Sequence, residues 1–312
     1  MGLLTLSLTA CATSSPSPHP TSASEWAKRG RALLQPEHAA EARRAYTCAL
    51  VENPDDLPSL LGRAQAAVWD EAPQAALSDL TYAISRRPLA QAYWLRASIR
   101  VSQSDFTRAA SDMRQAILLA PREACLYSAY GQVLLRQNKP QLALRAVNLA
   151  TELEPFEPSL RLLRGAVLLK LRRYSESSAE LTRALEARAT RRSYELRGDA
   201  FFAQGEHQAA VIDYTEVLRR QPASLCRVAR GLCFLELDRM SAAERDFSAW
   251  LKSHPTDARV HLWRGITRAS RHAFGLAEAD FDRALALVPS APLQAQIEEQ
   301  RALVSKARQR VW

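Results

Sequence analysis

The chain has 312 residues and a formal net charge of +9, with arginine supplying nearly all of the positive charge because only five lysines occur. Length alone admits one large domain or two medium ones. A basic balance admits nucleic acid, an anionic membrane surface or acidic partners, but no run of five basic residues and no basic–aromatic track occurs, and no apolar run approaches the ~18 residues of a membrane-crossing helix.

In chain order the first segment is residues 1–10, apolar and small (Leu3-Leu4-Thr5-Leu6-Ser7-Leu8-Thr9-Ala10), followed by Cys11 and a Ser/Pro/Thr-rich stretch over 11–22. Leu8-Thr9-Ala10-Cys11 resembles the lipobox of bacterial lipoproteins. That resemblance implies cleavage before Cys11, lipidation of its thiol and a flexible tether with no core-forming residues. Ala12 after the cysteine favours the outer membrane, with the protein facing the periplasm. The segment departs from a full signal: ten residues precede Cys11 and none is basic. Either the true start lies upstream or the resemblance is accidental, in which case the protein is cytoplasmic.

From residue 23 to 289 a spacing recurs eight times at a period of 33 or 34. A small residue opens each set: Gly30, Ala64, Ala97, Gly131, Gly165, Gly198, Gly231 and Gly265. Twelve residues on come Ala42, Ala76, Ala109, Ala143, Ser177, Ala210, Ala243 and Ala277; seven further come Ala49, Ala83, Ala116, Ala150, Ala184, Val217, Trp250 and Ala284. Apolar residues at helical spacing lie on both sides of a short polar break, as in Leu160, Leu163, Leu168 and Leu171, then Arg172-Arg173, then Tyr174, Leu181 and Leu185. Two helices joined by a tight turn form an αα-hairpin, and small residues are wanted where its axes approach. A proline follows the second helix in seven sets (Pro54, Pro88, Pro121, Pro155, Pro222, Pro255 and Pro289) and fixes its stop, while Pro73 and Pro140 suit a helix start. In the fifth set Ala189 replaces the proline, and Val217 and Trp250 suggest locally wider packing.

These residues, Trp26-x-x-x-Gly30, Ala42-x-x-x-Tyr46-x-x-Ala49 and Pro54 foremost, resemble the tetratricopeptide repeat pattern. The resemblance implies an all-α fold: a right-handed superhelical solenoid of eight hairpins, first helices lining a concave groove and second helices outside. Residues 290–312, with Leu293, Ile297 and Val304 among polar neighbours, suit a capping helix over the last repeat.

An arginine precedes the small residue in seven sets, and sixteen residues after six of these stands an acid: Asp79, Asp112, Glu180, Asp213, Asp246 and Asp280. In the fourth set both vanish together, replaced by Tyr130 and Ala146. Matched loss of both charges marks ion pairs bridging the two helices, shielded by the next repeat, rather than a phosphate track.

No catalytic constellation is legible. Cys226 and Cys233 lie seven apart on one helix, too far for a disulfide, the six histidines are isolated, and no CxxC, HExxH, GxSxG or phosphate-binding loop occurs. Neither a cofactor, a metal nor a small-molecule substrate is expected.

The register places on the groove Gln65, Trp69, Gln91, Trp94, Ser98 and Gln132, then Arg136 and Lys170, then Glu195 and Asp199. Aromatic residues flanked by amides suit a peptide-binding patch. Alternatively Trp94 packs against its neighbouring repeat and Trp69 covers its own turn. Trp26, Trp250 and Trp263 occupy inward positions. The lysine-and-asparagine pattern of a chaperone-tail clamp is absent. The expected protein is a non-enzymatic scaffold, tethered by lipid at Cys11, that grips a protein or peptide segment of an envelope complex, with no nucleic-acid partner.

Overall fold

The computed structural model describes residues 22–288 and 290–311. The apolar segment 1–10, Cys11, all but the last residue of the 11–22 tether, and Pro289 lie outside the described residues. Among the described residues every regular element is helical.

The chain divides into two compact halves, the first ending at Pro155 and the second starting at Phe156. The first holds four hairpins: α1 (Ala23–Ala32) with α2 (Ala39–Glu52), α3 (Leu57–Trp69) with α4 (Pro73–Arg86), α5 (Ala90–Ser102) with α6 (Phe106–Leu119), and α7 (Ala124–Arg136) with α8 (Pro140–Leu153). The second holds α9 (Pro158–Lys170) with α10 (Tyr174–Ala187), α11 (Arg191–Gln204) with α12 (His207–Arg220), α13 (Cys226–Glu236) with α14 (Met240–Ser253), α15 (Ala258–Ser270) with α16 (Phe274–Ala286), and a final helix α17 (Ala291–Val311). Within each half a helix packs on the next in chain order, and first helices also touch one another, as α3 does α5 and α13 does α15.

All eight opening small residues are buried, as are all eight at the second and all eight at the third position. The reason is more specific than close axes. A side chain sixteen residues on fills the space above each opening glycine: a Cβ on Gly131 would stand 2.7 Å from Val147 Cγ2, and one on Gly265 would stand 2.5 Å from the Phe281 ring. Tyr214 and Phe247 cover Gly198 and Gly231 in the same way. Val217 and Trp250 are buried too, and the Trp250 indole N–H reaches into the following turn to donate to Asp257 at 3.1 Å. Trp26 and Trp263 are half-buried rather than enclosed, lying at the margin of the core.

Pro73 and Pro140 open α4 and α8 as the sequence predicts. Proline is not indispensable to the stop of a second helix, however. α10 stops two residues before Ala189, as α4 stops two before Pro88. The backbone after α10 turns extended at Arg188 (φ −154°), so the geometry of the link suffices.

The turns inside the hairpins share one construction. The first hairpin passes through a short 3₁₀ turn, Pro36–His38. Each of the other seven has a single left-handed residue: Glu71, Ser104, Asn138, Arg172, Gly205, Asp238 and His272, with φ between 53° and 79°. The next residue returns its N–H to a carbonyl five positions back, at 2.8–3.0 Å, from Ala72 to Ala67 through to Ala273 to Arg268. That bond is the Schellman closure of a helix C-terminus, usually made with glycine; here six of seven positions do without it.

At the C-terminus, Ile297 and Val304 of α17 are buried against Phe281 and Ala284, with Leu293 half-buried beside them. Arg301–Asp282 (2.9 Å) and Arg308–Glu278 (2.7 Å) hold its flanks. The expected cap is present.

Candidate functional site

Two places concentrate charge or open apolar surface on the first helices. The first is the seam between the helices of each hairpin. Arg96, Arg197 and Arg230 each direct Nε and Nη2 to the two carboxylate oxygens of Asp112, Asp213 and Asp246 at 2.8–3.0 Å, and Arg63 does the same to Asp79 at 2.6–2.8 Å. Arg264 bonds Asp280 at 2.6 Å through Nη2. The fifth hairpin departs: Arg164 stands 3.9 Å from Glu180, whose other oxygen is taken by Arg183 at 2.6 Å. The longer glutamate stem displaces the carboxylate from the fork, leaving Arg164 Nε and Glu180 Oε2 buried without hydrogen bonds.

In four of these seams the remaining guanidinium nitrogen turns to the preceding hairpin. Arg96, Arg197 and Arg230 donate Nη1 to Thr81, Thr182 and Thr215 on the second helix before them, at 3.0–3.3 Å, and Arg264 does so to Ser248 at 3.3 Å. The signal was present in the sequence as a hydroxyl residue fifteen or sixteen places ahead of the arginine. Arg96, Arg197, Arg230 and Arg264 therefore have both ends of their guanidiniums engaged by the protein itself.

The second place is on the first-helix face of the first half. Four residues that the sequence assigns to the groove, Trp94, Ser98, Gln132 and Arg136, line one open cleft of about 550 Å³ between α5 and α7. Its walls are mainly apolar: Val101, Ala129, Val133 and Leu135 from the same two helices and Met113 from α6. The Trp94 side chain is half-exposed (38% for the residue), so it neither vanishes into the neighbouring repeat nor stands free. Ser98 Oγ donates to the Leu95 carbonyl at 2.7 Å. Arg136, the last residue of α7, lies over the Phe106 ring with its guanidinium carbon 5.6 Å from the centroid. Gln137 Nε2 donates to the Phe106 carbonyl at 2.7 Å and so pins the start of α6 to the end of α7. Met113 and Phe106 escaped the sequence reading because they sit on a second helix; their signal is register, since Met113 falls sixteen residues after Ala97.

Other assigned residues stand apart from this cleft. Gln65 is half-buried on α3, Trp69 ends α3 at 37% exposure, and Gln91 is exposed in the first turn of α5. Lys170, Glu195 and Asp199 belong to the second half. Lys170 is exposed at the end of α9. Glu195 pairs with Arg191 (3.3 Å) and Arg192 (3.1 Å) on its own helix. Asp199 is half-buried and accepts the Tyr214 hydroxyl at 2.9 Å. Burial pushes its carboxyl above the ordinary aspartate value, against the lowering effect of that hydrogen bond. Burial also raises the Tyr214 phenol.

Cys226 and Cys233 are buried on α13 beside Tyr214, and burial pushes the Cys233 thiol up to about 12 and the Cys226 thiol upward. A thiol held protonated in this way is a poor nucleophile. Among the described residues no three His, Cys, Asp or Glu side chains gather as metal ligands, and no helix is long and apolar enough to cross a membrane.

A tetratricopeptide repeat family model matches residues 95–158, 162–225 and 228–292. Tetratricopeptide repeat protein 16 of Homo sapiens is 28% identical over 174 residues, 49% of this chain and 20% of that protein, so the chain spans a fifth of its relative's length. Among solved structures, a tetratricopeptide repeat protein from Parabacteroides merdae superposes with a TM-score of 0.58 at 16% identity, covering 92% of this chain and 100% of its own. YrrB, a tetratricopeptide repeat protein with an unusual peptide-binding site, superposes with a TM-score of 0.54 at 19% identity, covering 61% of this chain and 99% of its own. At these identities the superpositions speak for the fold. The eight buried small-residue sets, the hairpins they form and the matched family model place this chain in the tetratricopeptide repeat family.

Proposed function

We propose that the protein is a non-enzymatic scaffold whose first-half cleft grips a segment of another protein, and that Cys11 carries a lipid that displays this surface on the periplasmic side of a bacterial outer membrane. The observation that supports the binding reading is the cleft itself. Half-exposed Trp94, the amide of Gln132 and the guanidinium of Arg136 converge on an apolar floor, in a volume within the ~300–1,000 Å³ usual for ligand sites. Repeat proteins of this family act as protein-interaction scaffolds, and YrrB is described by its peptide-binding site. The anchoring reading rests on Leu8-Thr9-Ala10-Cys11 and the Ser/Pro/Thr stretch after it.

Crosslinking pull-down from envelope fractions with the full chain and its Trp94→Ala variant tests the first part. The variant is expected to lose a protein that the parent recovers while its urea stability falls by less than about 2 kcal/mol. Equal recovery by both, or a much larger loss of stability, identifies Trp94 as a packing residue and ends the reading. Labelling with palmitate tests the second part. The label should enter the parent and not Cys11→Ser; label that persists in the variant, or never enters the parent, removes the anchor and leaves a cytoplasmic adaptor.

A further inference from the structure

We infer that the cleft of the first half selects an acidic segment, one that seats a large apolar side chain against Trp94 and Met113 and sets a carboxylate on Arg136. The inference rests on the binding reading above and names the chemistry of its partner.

Charge carries the argument. None of the residues lining the cleft is Asp or Glu. The groove residues that the sequence assigns to this half, from Gln65 and Trp69 to Gln132 and Arg136, likewise include no acid. Every seam arginine with an acid sixteen residues on is engaged by that acid. Arg136 is of a different kind: it makes no ion pair among the described residues, it lines the cleft, and its contact is the face of Phe106. A guanidinium resting on a ring keeps its N–H edge free and fixed in direction, which lowers the ordering cost of a bidentate carboxylate. Gln137 holds the Phe106 backbone in place beneath it. Next to this edge the cleft offers half-buried Val101 with the buried Met113 and Val133 behind it, so the surface beside Arg136 is apolar. A basic segment would meet an unpaired like charge, and a wholly apolar one would leave that charge partly desolvated without a partner.

Selection of random dodecapeptides displayed on phage, against the full-length chain, is the test. Recovered sequences should be enriched in Asp or Glu near a Leu, Ile, Met or aromatic residue. Synthetic peptides made from them should bind Arg136→Glu about tenfold to a hundredfold more weakly than the parent, and selection on Arg136→Glu should enrich Lys or Arg in place of the acid. Circular dichroism melts identical to the parent's establish that Arg136→Glu is folded, and Arg136→Gln serves where they differ. Binders lost on Trp94→Ala but with no acid preference, or with a preference that Arg136→Glu leaves unchanged, overturn the inference while the cleft stands as a binding site. Binders indifferent to Trp94→Ala, or no enrichment at all, overturn the inference together with the binding reading.

Discussion

In the sixth hairpin Arg197 spends both edges of its guanidinium on the protein itself, two bonds at 2.8 Å to Asp213 and one at 3.1 Å to Thr182. In the fourth, Tyr130 and Ala146 occupy the corresponding positions, and the first helix instead ends in Arg136, lying on Phe106 and lining a cleft. The same residue type thus serves cohesion in the seam and exposure on the first-helix face. What separates the roles is register: one arginine stands level with an acid sixteen residues on, the other faces a ring at the start of α6. A basic composition spread over every repeat therefore says little about ligands until each arginine is assigned to one of these two places.

The contrast can be broken hardest at the seam. Asp213 is almost wholly buried, so Asp213→Ala should strand the Arg197 charge and cost about 3–5 kcal/mol in urea unfolding. Glu180→Ala, where Arg164 stands at 3.9 Å, should cost only about 1–2 kcal/mol. Equal losses for the two would mean that the bidentate geometry is irrelevant to the seam. Next in size is Gly131→Leu, which drives a side chain into Val147 and should destabilise by roughly 1–3 kcal/mol through overpacking; melting at the parent temperature would show the register to be misplaced.

The smallest effect concerns Asp199, the half-buried carboxylate on the face of the second half. Its folded-state titration lies above the ordinary aspartate value because of burial. The folded state therefore holds a proton that the unfolded chain has lost, across the window between those two values. In that window unfolding stability falls as pH rises, and the penalty is complete above the raised value. Asp199→Asn, which can still accept from the Tyr214 hydroxyl, should flatten this slope and leave the protein slightly more stable at pH 7. Parallel pH profiles of melting temperature for parent and variant would remove burial as the cause.

Periodicity made the fold legible because it is a statement about backbones: small residues at fixed intervals, helix starts at Pro73 and Pro140, and the Arg/Asp register at sixteen all follow from hairpin geometry. Half of the cleft was legible for the same reason, since Trp94, Ser98, Gln132 and Arg136 share first-helix rows. Met113 was not, because it enters from a second helix, and the apolar Val101, Ala129, Val133 and Leu135 of the first helices fall off those rows, at positions that read as packing between hairpins. Nor did the sequence reveal that Thr81, Thr182 and Thr215 close the seam from the preceding hairpin, since a hydroxyl on an outer helix reads as solvated until its neighbour is placed.

The left-handed residue in each of seven turns bears on how the chain reaches its native state. At Glu71, Ser104 and Arg172, which lack the local hydrogen-bonding of Asn or Asp, that conformation is uphill for an isolated helix end by roughly 1 kcal/mol or more. Glu71 or Arg172 can hold the reversal only once the helices on either side have docked. Each hairpin should then nucleate at its seam and zip toward its tip, the turn closing last, like a latch. Mutations at the tips would then act chiefly on the rate of opening and hardly on the rate of folding.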